Sequence, residues 1–219
     1  MLSSIEIKNN KIKSKKIVKK LINKYGKDIP IYLNYHKNKN YEFLFAVMMS
    51  AQTTDLRVNE VTKNLYKKYK KLSDFANANL EELEKDIKPV GFYHEKAISI
   101  IQTAKDLIYK FGSKVPDNFD DLVKLRGVGN KTAAVVLGHI FNIPAMAVDT
   151  HVNRISNKLF TLNEKNPDVV CEMLKQIVEK KYWVLWNTHI IALGREICSA
   201  RNPKCSMCFL KDLCNFYNM

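Results

Sequence analysis

Four of the five cysteines of this chain lie close together between residues 198 and 214, and their spacing constrains the fold of that segment more than any other feature. The pattern is C-x6-C-x2-C-x5-C, at Cys198, Cys205, Cys208 and Cys214. So short a loop can wrap around one metal centre and bring four thiolates to it. Disulfides are not expected, because the sequence shows no secretory signal. The spacing fits neither the zinc-ribbon nor the ferredoxin template, so both zinc and an iron–sulfur cluster are possible metal centres. In either case the site is expected to be structural.

A glycine hairpin followed by a lysine is the second informative feature. The residues are Gly127, Val128, Gly129, Asn130 and Lys131. Two glycines allow a tight turn whose backbone N–H groups can face a phosphate. Lys131 would lie near the start of the next helix, whose positive end disfavours an ammonium and makes the nucleophilic free amine more accessible. With the carboxylate of Asp149 one helix length later, the pattern predicts a site for attack on a sugar carbon of a nucleic acid.

The same residues also have a purely structural interpretation. The hairpin could be an ordinary connection between two helices with a solvated Lys131, and Asp149 could cap the helix that follows it. No strand pattern precedes the glycines, which argues against a dinucleotide-binding fingerprint. The hairpin alone does not decide between these interpretations.

The charge balance indicates an acidic partner. The 219 residues carry a formal net charge of +14, most of it from lysine, which favours nucleic acid or an anionic membrane surface. Lysine binds phosphate as a point charge, so we expect affinity for the nucleic-acid backbone rather than readout of base sequence. No segment is long and apolar enough to cross a membrane. Without the apolar core of a signal peptide, a cytoplasmic, nucleoid-associated protein is expected.

Hydrophobic spacing predicts an all-α chain, because apolar residues recur at helical intervals and no alternating run is long enough for a strand. Residues 1–15 are expected to be frayed. Cys171 lies on an apolar helix face and is expected to be a small buried hydrophobe rather than a metal ligand. The predicted helices are Lys16–Tyr25 ended by Gly26, a buried Tyr41–Ser50, a long helix through Ala97–Ile108 up to Gly112, the hairpin arms Phe119–Leu125 and Thr132–Phe141, and Val169–Val178.

The chain resembles the endonuclease III family of bifunctional DNA glycosylases over about residues 41–214. The resemblance lies in the order of its motifs, which is hairpin, lysine, aspartate and cysteine loop. In that family the cysteine loop holds one four-iron four-sulfur cluster, so the resemblance implies iron rather than zinc. The family's catalytic residues fall on Lys131 and Asp149. The implied fold has two domains: a six-helix barrel with the helix–hairpin–helix at residues 33–143, and an iron–sulfur cluster domain formed by residues 1–32 and 144–219.

The resemblance also assigns DNA contacts. Gln52, in Ser50-Ala51-Gln52, would fill the gap left by an extruded base, and Phe92 occupies the wedge position, where the family often has an aliphatic residue. Arg126 stands where proline is usual; it loosens the turn but adds a phosphate contact. Asn130 replaces a frequent arginine, and His151 would orient Asp149, bind phosphate or merely begin a helix. The implied DNA-binding residues are Gln52, Phe92, Arg126, Gly127, Val128, Gly129, Asn130 and His151.

The function implied by the resemblance is base excision repair. The chain would remove damaged pyrimidines, with oxidised bases as the expected lesions, and cleave the strand by β-elimination through a Schiff base on Lys131. The expected partner is double-stranded DNA with a damaged base or an abasic site, bound by a monomer without membrane association. Alternatives are an adenine glycosylase acting on mismatches, which normally lacks this lysine, a non-catalytic iron–sulfur DNA-binding or redox-sensing module, and a zinc-dependent nucleic-acid adaptor.

Overall fold

A computed structural model describes residues 2–28, 30 and 32–218. Throughout these ranges the regular secondary structure is helical and there is no strand, which confirms the predicted fold class. None of the described helices is both long and apolar enough to cross a membrane. The α-helices are α1 (Ser4–Tyr25), α2 (Asn40–Met49), α3 (Asp55–Lys68), α4 (Leu72–Ala76), α5 (Leu80–Ile87), α6 (Tyr93–Phe111), α7 (Phe119–Leu122), α8 (Asn130–Ile140), α9 (Thr150–Phe160), α10 (Pro167–Ile177) and α11 (Trp183–Glu196). Short 3-10 turns occur at Lys88–Val90, Lys180–Tyr182, Cys205–Met207 and Lys211–Leu213.

The chain divides into two compact units. One is continuous, Ile31–Ile143, and contains α2 to α8. The other combines Met1–Pro30 with Pro144–Met219 and contains α1 and α9 to α11. The hairpin and Lys131 belong to the first unit, whereas Asp149 and the cysteine loop belong to the second.

The continuous unit is built around α2. Every residue from Phe43 to Met49 is buried, as expected for a helix that is apolar on all sides. The helix packs against α3, α6 and α8. Its one charged residue in the first turn, Glu42, is also buried and lies 2.7 Å from His36 Nδ1. Burial of seven consecutive apolar side chains gives this unit its core and fixes the elements that carry the hairpin.

The second unit has its own core around Trp186, which is fully buried and stacks on Phe160 with 5.8 Å between ring centroids. Helix α1 joins this core through Ile17, Val18 and Leu21. The unit therefore unites the two ends of the sequence around one hydrophobic cluster.

The expectation that residues 1–15 are frayed is wrong for residues 4–15, which belong to α1. The helix begins at a capping box: the Ser3 hydroxyl accepts a hydrogen bond from the Glu6 backbone N–H at 3.3 Å, and the Glu6 carboxylate accepts one from the Ser3 N–H at 2.8 Å. Farther along, the Ser14 hydroxyl donates to the Ile177 carbonyl at 2.6 Å. Met1 lies outside the described residues.

Three other predictions, of helix bounds or of an apolar face, need correction. The first hairpin arm was predicted at Phe119–Leu125, but α7 has only four residues. The chain then turns, with the Leu125 N–H donating to the Leu122 carbonyl. The second arm starts two residues earlier than predicted, at Asn130, because Gly129 is the N-cap of α8. In α10 the apolar face begins at Val170, whereas Val169 is 43% exposed.

Candidate active site and metal centre

The hairpin is held in place from its inner side. The Thr103 hydroxyl donates a hydrogen bond to the Arg126 carbonyl at 2.9 Å, and Val128 is buried. Gly127 has φ +77°, and a Cβ built there would lie 2.9 Å from the Cβ of Ser99. Glycine is therefore required at position 127 both by the backbone conformation and by the close approach of Ser99. This is the tight turn that the sequence predicts.

Gly129 has a different reason to be glycine. Its φ of −90° is ordinary, and a Cβ built there would meet nothing within 4 Å. Gly129, Asn130 and Lys131 are all exposed at the start of α8. The open side of the hairpin therefore leaves room for a ligand to approach the first turn of the helix, where N–H groups favour an anion. The structure places Lys131 in this first turn, as predicted.

Arg126 extends from the hairpin into an ion pair. Its Nη2 lies 3.4 Å from Glu95 Oε2, and both side chains are at least half exposed. An ion pair this exposed contributes little to stability, typically under about 1 kcal/mol. Arg126 can therefore exchange Glu95 for a phosphate at low cost, and the phosphate contact stays a prediction.

Gln52 and Phe92 both occupy turns with a left-handed backbone. Gln52 has φ 57°, and Phe92 has φ 48° and ψ 30°. For residues other than glycine this conformation costs about 1–2 kcal/mol each. Phe92 is also 68% exposed, directly before α6. Strained backbone and an exposed aromatic ring in one turn are typical of a functional position rather than of packing.

Lys96, in the first part of α6, is a residue that the sequence analysis missed. It is 8% exposed, and its Nζ donates to three carbonyl oxygens: Met49 at 2.9 Å, Ala51 at 2.8 Å and Val90 at 3.0 Å. The sequence contained a signal for it, because Lys96 shares a helix face with the buried Ile100, Thr103 and Leu107. A lysine on the apolar face of a helix is unusual and requires polar partners.

Asp149 is the N-cap of α9. Its Oδ1 accepts a hydrogen bond from the Val152 backbone N–H at 2.8 Å. The structural interpretation of Asp149 is thus confirmed, and it does not exclude a second role for the carboxylate. His151, in the first turn of α9, lies 3.3 Å from Arg154 Nη2 through its Nδ1. A Cβ at Gly194 would lie 2.4 Å from the same Nδ1, so Gly194 leaves the room in which the imidazole sits.

The four cysteines of the cysteine loop (residues 198–214) line a single cavity. Burial raises the pKa of Cys208, and the charges of Cys198, Cys214 and Cys205 raise it further, so the four thiols are near enough to influence one another. Cys171, by contrast, is half-buried on α10 and donates to the Met146 carbonyl at 3.5 Å.

The donor set of this cavity, four cysteine thiols, fits an iron–sulfur cluster, whose separate irons each take one thiolate. The same four thiolates would also suit one zinc ion.

Cations outside the cysteine loop approach this cavity. Arg154 Nη1 donates to the Cys198 carbonyl at 2.6 Å and lies 3.8 Å from its sulfur. Burial raises the pKa of the Cys198 thiol, and Lys158 and Arg154 lower it. Lys158 also holds the end of the loop, because its carbonyl accepts the Phe216 N–H at 3.0 Å and its ammonium lies 4.0 Å from the Phe216 ring centroid. Sequence reasoning missed both cations, since they are distant from the loop along the chain.

Two family models match this chain. The HhH-GPD superfamily base excision DNA repair protein model matches residues 45–180. The iron–sulfur binding domain of endonuclease III matches residues 198–214, the span of the cysteine loop. The second match confirms the prediction of an iron–sulfur cluster rather than zinc.

Proteins named endonuclease III are similar to this chain over most of its length. Endonuclease III of Rickettsia felis is 40% identical over 92% of this chain and 95% of its own length. Endonuclease III of Bacillus subtilis is 44% identical over 82% of each chain. A non-covalent endonuclease III–DNA complex and a trapped endonuclease III–DNA covalent intermediate each superimpose with a TM-score of 0.88 and 36% identity, over 100% of this chain and 98% of theirs. These relatives do not support the alternatives of a zinc adaptor, a non-catalytic module or an adenine glycosylase.

The chain that matches both models thus has a hairpin that requires Gly127, a lysine in the helix after it, an aspartate that caps α9, and four cysteines around one cavity. The chain belongs to the endonuclease III family of helix–hairpin–helix base excision repair enzymes, DNA glycosylases with AP lyase activity that carry a four-iron four-sulfur cluster.

Proposed function

We propose that Lys131 and Asp149 are the catalytic residues with which this enzyme removes damaged, oxidised pyrimidines from double-stranded DNA and then cleaves the strand. The observation that carries the proposal is the position of Lys131, exposed in the first turn of α8 directly after the hairpin. A similar protein was solved as a trapped covalent intermediate with DNA. Covalent chemistry of that kind needs a nucleophile, and an amine next to a phosphate-binding turn meets this need.

In this proposal the amine of Lys131, after losing a proton, attacks the anomeric carbon of the sugar as the bond to the base breaks and the base leaves with the bonding electrons. The positive charge that develops on the sugar is stabilised by the carboxylate of Asp149. The Lys131 adduct opens to a Schiff base, which makes the proton on the neighbouring sugar carbon acidic. Loss of that proton expels the 3′ phosphate by β-elimination, and water then releases Lys131.

The base must first leave the duplex, which costs a few kcal/mol of stacking and pairing, least for a damaged base. We assign the wedge to Phe92, whose exposed ring can enter between bases, and the filling of the vacated space to Gln52. The hairpin residues Arg126 to Asn130 bind the phosphates of the strand, with the open face of Gly129 allowing the close approach. Asn130 supplies a polar contact where the family often has a cation, and His151 is assigned to positioning beside Asp149.

We assign the six-helix barrel to residues 33–143 and the cluster domain to residues 1–32 and 144–219. The ligands of the cluster are Cys198, Cys205, Cys208 and Cys214, which line one cavity. When bound, the cluster supplies a cross-link that fixes a loop too short to have its own hydrophobic core. The net charge of +14 supports binding of DNA phosphates along this chain. We further propose that the enzyme acts as a monomer on the DNA of the nucleoid.

Borohydride trapping on abasic DNA tests the proposal. Lys131→Gln should bind DNA with nearly wild-type affinity but form no trapped complex, because the amide cannot form an imine. The matched control is Lys124→Gln, which removes an exposed lysine paired with Asp121 at 2.7 Å near the hairpin. Trapping by Lys131→Gln at the wild-type level would overturn the assignment, whereas loss of trapping in both variants would point to lost charge rather than to a lost nucleophile.

A further inference from the structure

The three hydrogen bonds of Lys96 join two separate parts of the chain. Two acceptors, Met49 and Ala51, lie at the end of α2 and in the turn just before Gln52. The third, Val90, lies 2 residues before Phe92, at the end of the 3-10 turn Lys88–Val90. Lys96 also contacts Phe92 through its backbone, because its N–H donates to the Phe92 carbonyl at 3.1 Å. One residue thus holds both turns.

The chemistry of an ammonium suits this position. It has three donors and no acceptor, and here each donor has one carbonyl oxygen. Burial of the charge is unfavourable and lowers the pKa of Lys96. An apolar side chain of similar length would fill the same space without burying a charge, but it would leave the three carbonyl oxygens without this donor. The charge therefore contributes something other than packing, namely a fixed geometry of three carbonyl groups that belong to different segments.

Both turns need such support. Gln52 and Phe92 each adopt a left-handed backbone that relaxes readily unless neighbouring contacts hold it. Their side chains are exposed, so packing of these side chains does not supply those contacts. The Ala51 carbonyl directly precedes Gln52, and the Val90 carbonyl precedes the Gly91–Phe92 step, so each bond to Lys96 acts at the base of one strained turn.

We propose that Lys96 is a positioning residue that couples the Gln52 turn to the Phe92 turn, so that the two side chains enter an opened duplex as one rigid unit. This inference rests on the roles assigned above to Gln52 and Phe92. Lys96 contributes to extrusion of the base and not to chemistry at the sugar. Its effect should appear only on substrates that require opening of a duplex.

Two substrates separate a role of Lys96 in extrusion of the base from a role in chemistry at the sugar. Single-turnover base release is measured on a duplex with one oxidised pyrimidine, and β-elimination is measured on a single-stranded abasic oligonucleotide, which has no partner strand to open. Lys96→Met should lose about tenfold or more on the duplex and stay within about twofold of wild type on the single strand. The control Lys105→Met removes the same charge from an exposed position of the same helix and should match wild type on both.

A merely structural role would give a different result. A variant with fewer folded molecules loses the same fraction on both substrates, so equal losses, or no loss on the duplex, would overturn the proposal. Hydrogen exchange provides the second measurement: Lys96→Met should speed exchange in residues 50–54 and 90–94 together, while α3 and α8 stay protected. Should Lys96→Met not fold, Lys96→Gln, which retains part of the donor set, is measured in the same way. Faster exchange in one turn alone would contradict the coupling.

Gln52→Ala and Phe92→Ala, run beside these variants, test the roles on which the inference rests. If both show a duplex-specific loss and Lys96→Met does not, the proposal for Lys96 fails while the assigned roles stand. If neither shows such a loss, the assigned roles fail, and the exchange measurement alone decides whether Lys96 holds the two turns together.

Discussion

The carboxylate of Asp149 lies 2.8 Å from the backbone N–H of Val152 and caps α9. The residue assigned to stabilise charge on the sugar therefore also begins the helix that carries His151 and Arg154. A substitution of Asp149 can act through either role. The two roles separate because a helix cap requires only an oxygen acceptor, whereas electrostatic stabilisation of a cation requires a negative charge.

Asp149→Asn should retain the cap and lose the charge. Asparagine caps helices as well as aspartate, so the free energy of unfolding should stay close to that of wild type. Single-turnover base release should fall by about a hundredfold, the usual effect of removing one electrostatic group from an active site. Asp149→Ala loses the cap as well and should be less stable by about 1 kcal/mol. Urea denaturation and base release, measured on both variants, check this. Equal activity of Asp149→Asn and wild type would leave Asp149 with the cap alone.

The two hairpin glycines should respond differently to alanine. At Gly127 the added Cβ would be strained by φ +77° and would meet Ser99 at 2.9 Å, so Gly127→Ala should lose about 2 kcal/mol of stability. At Gly129 the added Cβ meets nothing within 4 Å, so Gly129→Ala should cost less than about 1 kcal/mol.

DNA affinity tests whether the open face of Gly129 is the side from which a phosphate of the DNA approaches. Gly129→Ala should fold normally but bind an abasic duplex more weakly, because its methyl group stands where the phosphate approaches. Urea melts give stability, and fluorescence anisotropy with labelled duplex gives affinity. Wild-type affinity of Gly129→Ala would show that no strand approaches this side of the hairpin.

The cysteines offer an internal comparison. Cys205→Ser should lose the broad visible absorption and the bound iron of the cluster, because it removes one of the thiolates around the cavity. Cys171→Ser should keep both, since Cys171 lies on α10 and its thiol contacts the Met146 carbonyl. Iron analysis and the visible spectrum of the purified proteins check this. Iron retained in Cys205→Ser, or lost in Cys171→Ser, would mean that the ligand set has been assigned wrongly.

Local sequence patterns sufficed where the structure depends on local chemistry. The apolar run of α2, the stop at Gly112 and the tight turn at Gly127 follow from residue type and spacing. They did not suffice where the partners are distant. Lys96 finds acceptors 45 and 47 residues earlier, and Arg154 finds the Cys198 carbonyl 44 residues later. No periodicity shows such contacts before the chain folds.

The first half of α1 is an intermediate case. Its capping box, Ser3 with Glu6, is a local signal that was available in the sequence. The contacts that anchor the helix interior are not local: the Ser14 hydroxyl donates to the Ile177 carbonyl, 163 residues away, and Lys15 pairs with Glu179. The polar composition of residues 1–15 favoured a frayed end, whereas a cap and several distant contacts hold residues 4–15 in a helix.

Two histidines, the buried His189 and the half-buried His139, predict how stability changes with pH. Burial lowers the pKa of His189, whose Nε2 lies 2.9 Å from the Gly26 carbonyl, and burial likewise lowers the pKa of His139, whose Nδ1 lies 2.9 Å from the Val135 carbonyl. Both are therefore neutral in the folded protein at pH values where the unfolded chain already binds protons, below about 6.5. Because the unfolded state then holds more protons, the stability that these two residues contribute falls as the pH falls below about 6.5 and is constant above it.

His189→Gln and His139→Gln remove the titration while an amide can still donate to the carbonyl. Each variant should lose less stability than wild type between pH 7.5 and pH 5, and the double variant should lose least, because the two residues lie in different compact units. Urea unfolding at a series of pH values measures the difference. The prediction fails if wild type and the double variant lose the same stability between pH 7.5 and pH 5. That result would show that both imidazoles accept protons in the folded state as readily as in the unfolded state. A group that is charged equally in both states leaves the free energy of unfolding unchanged.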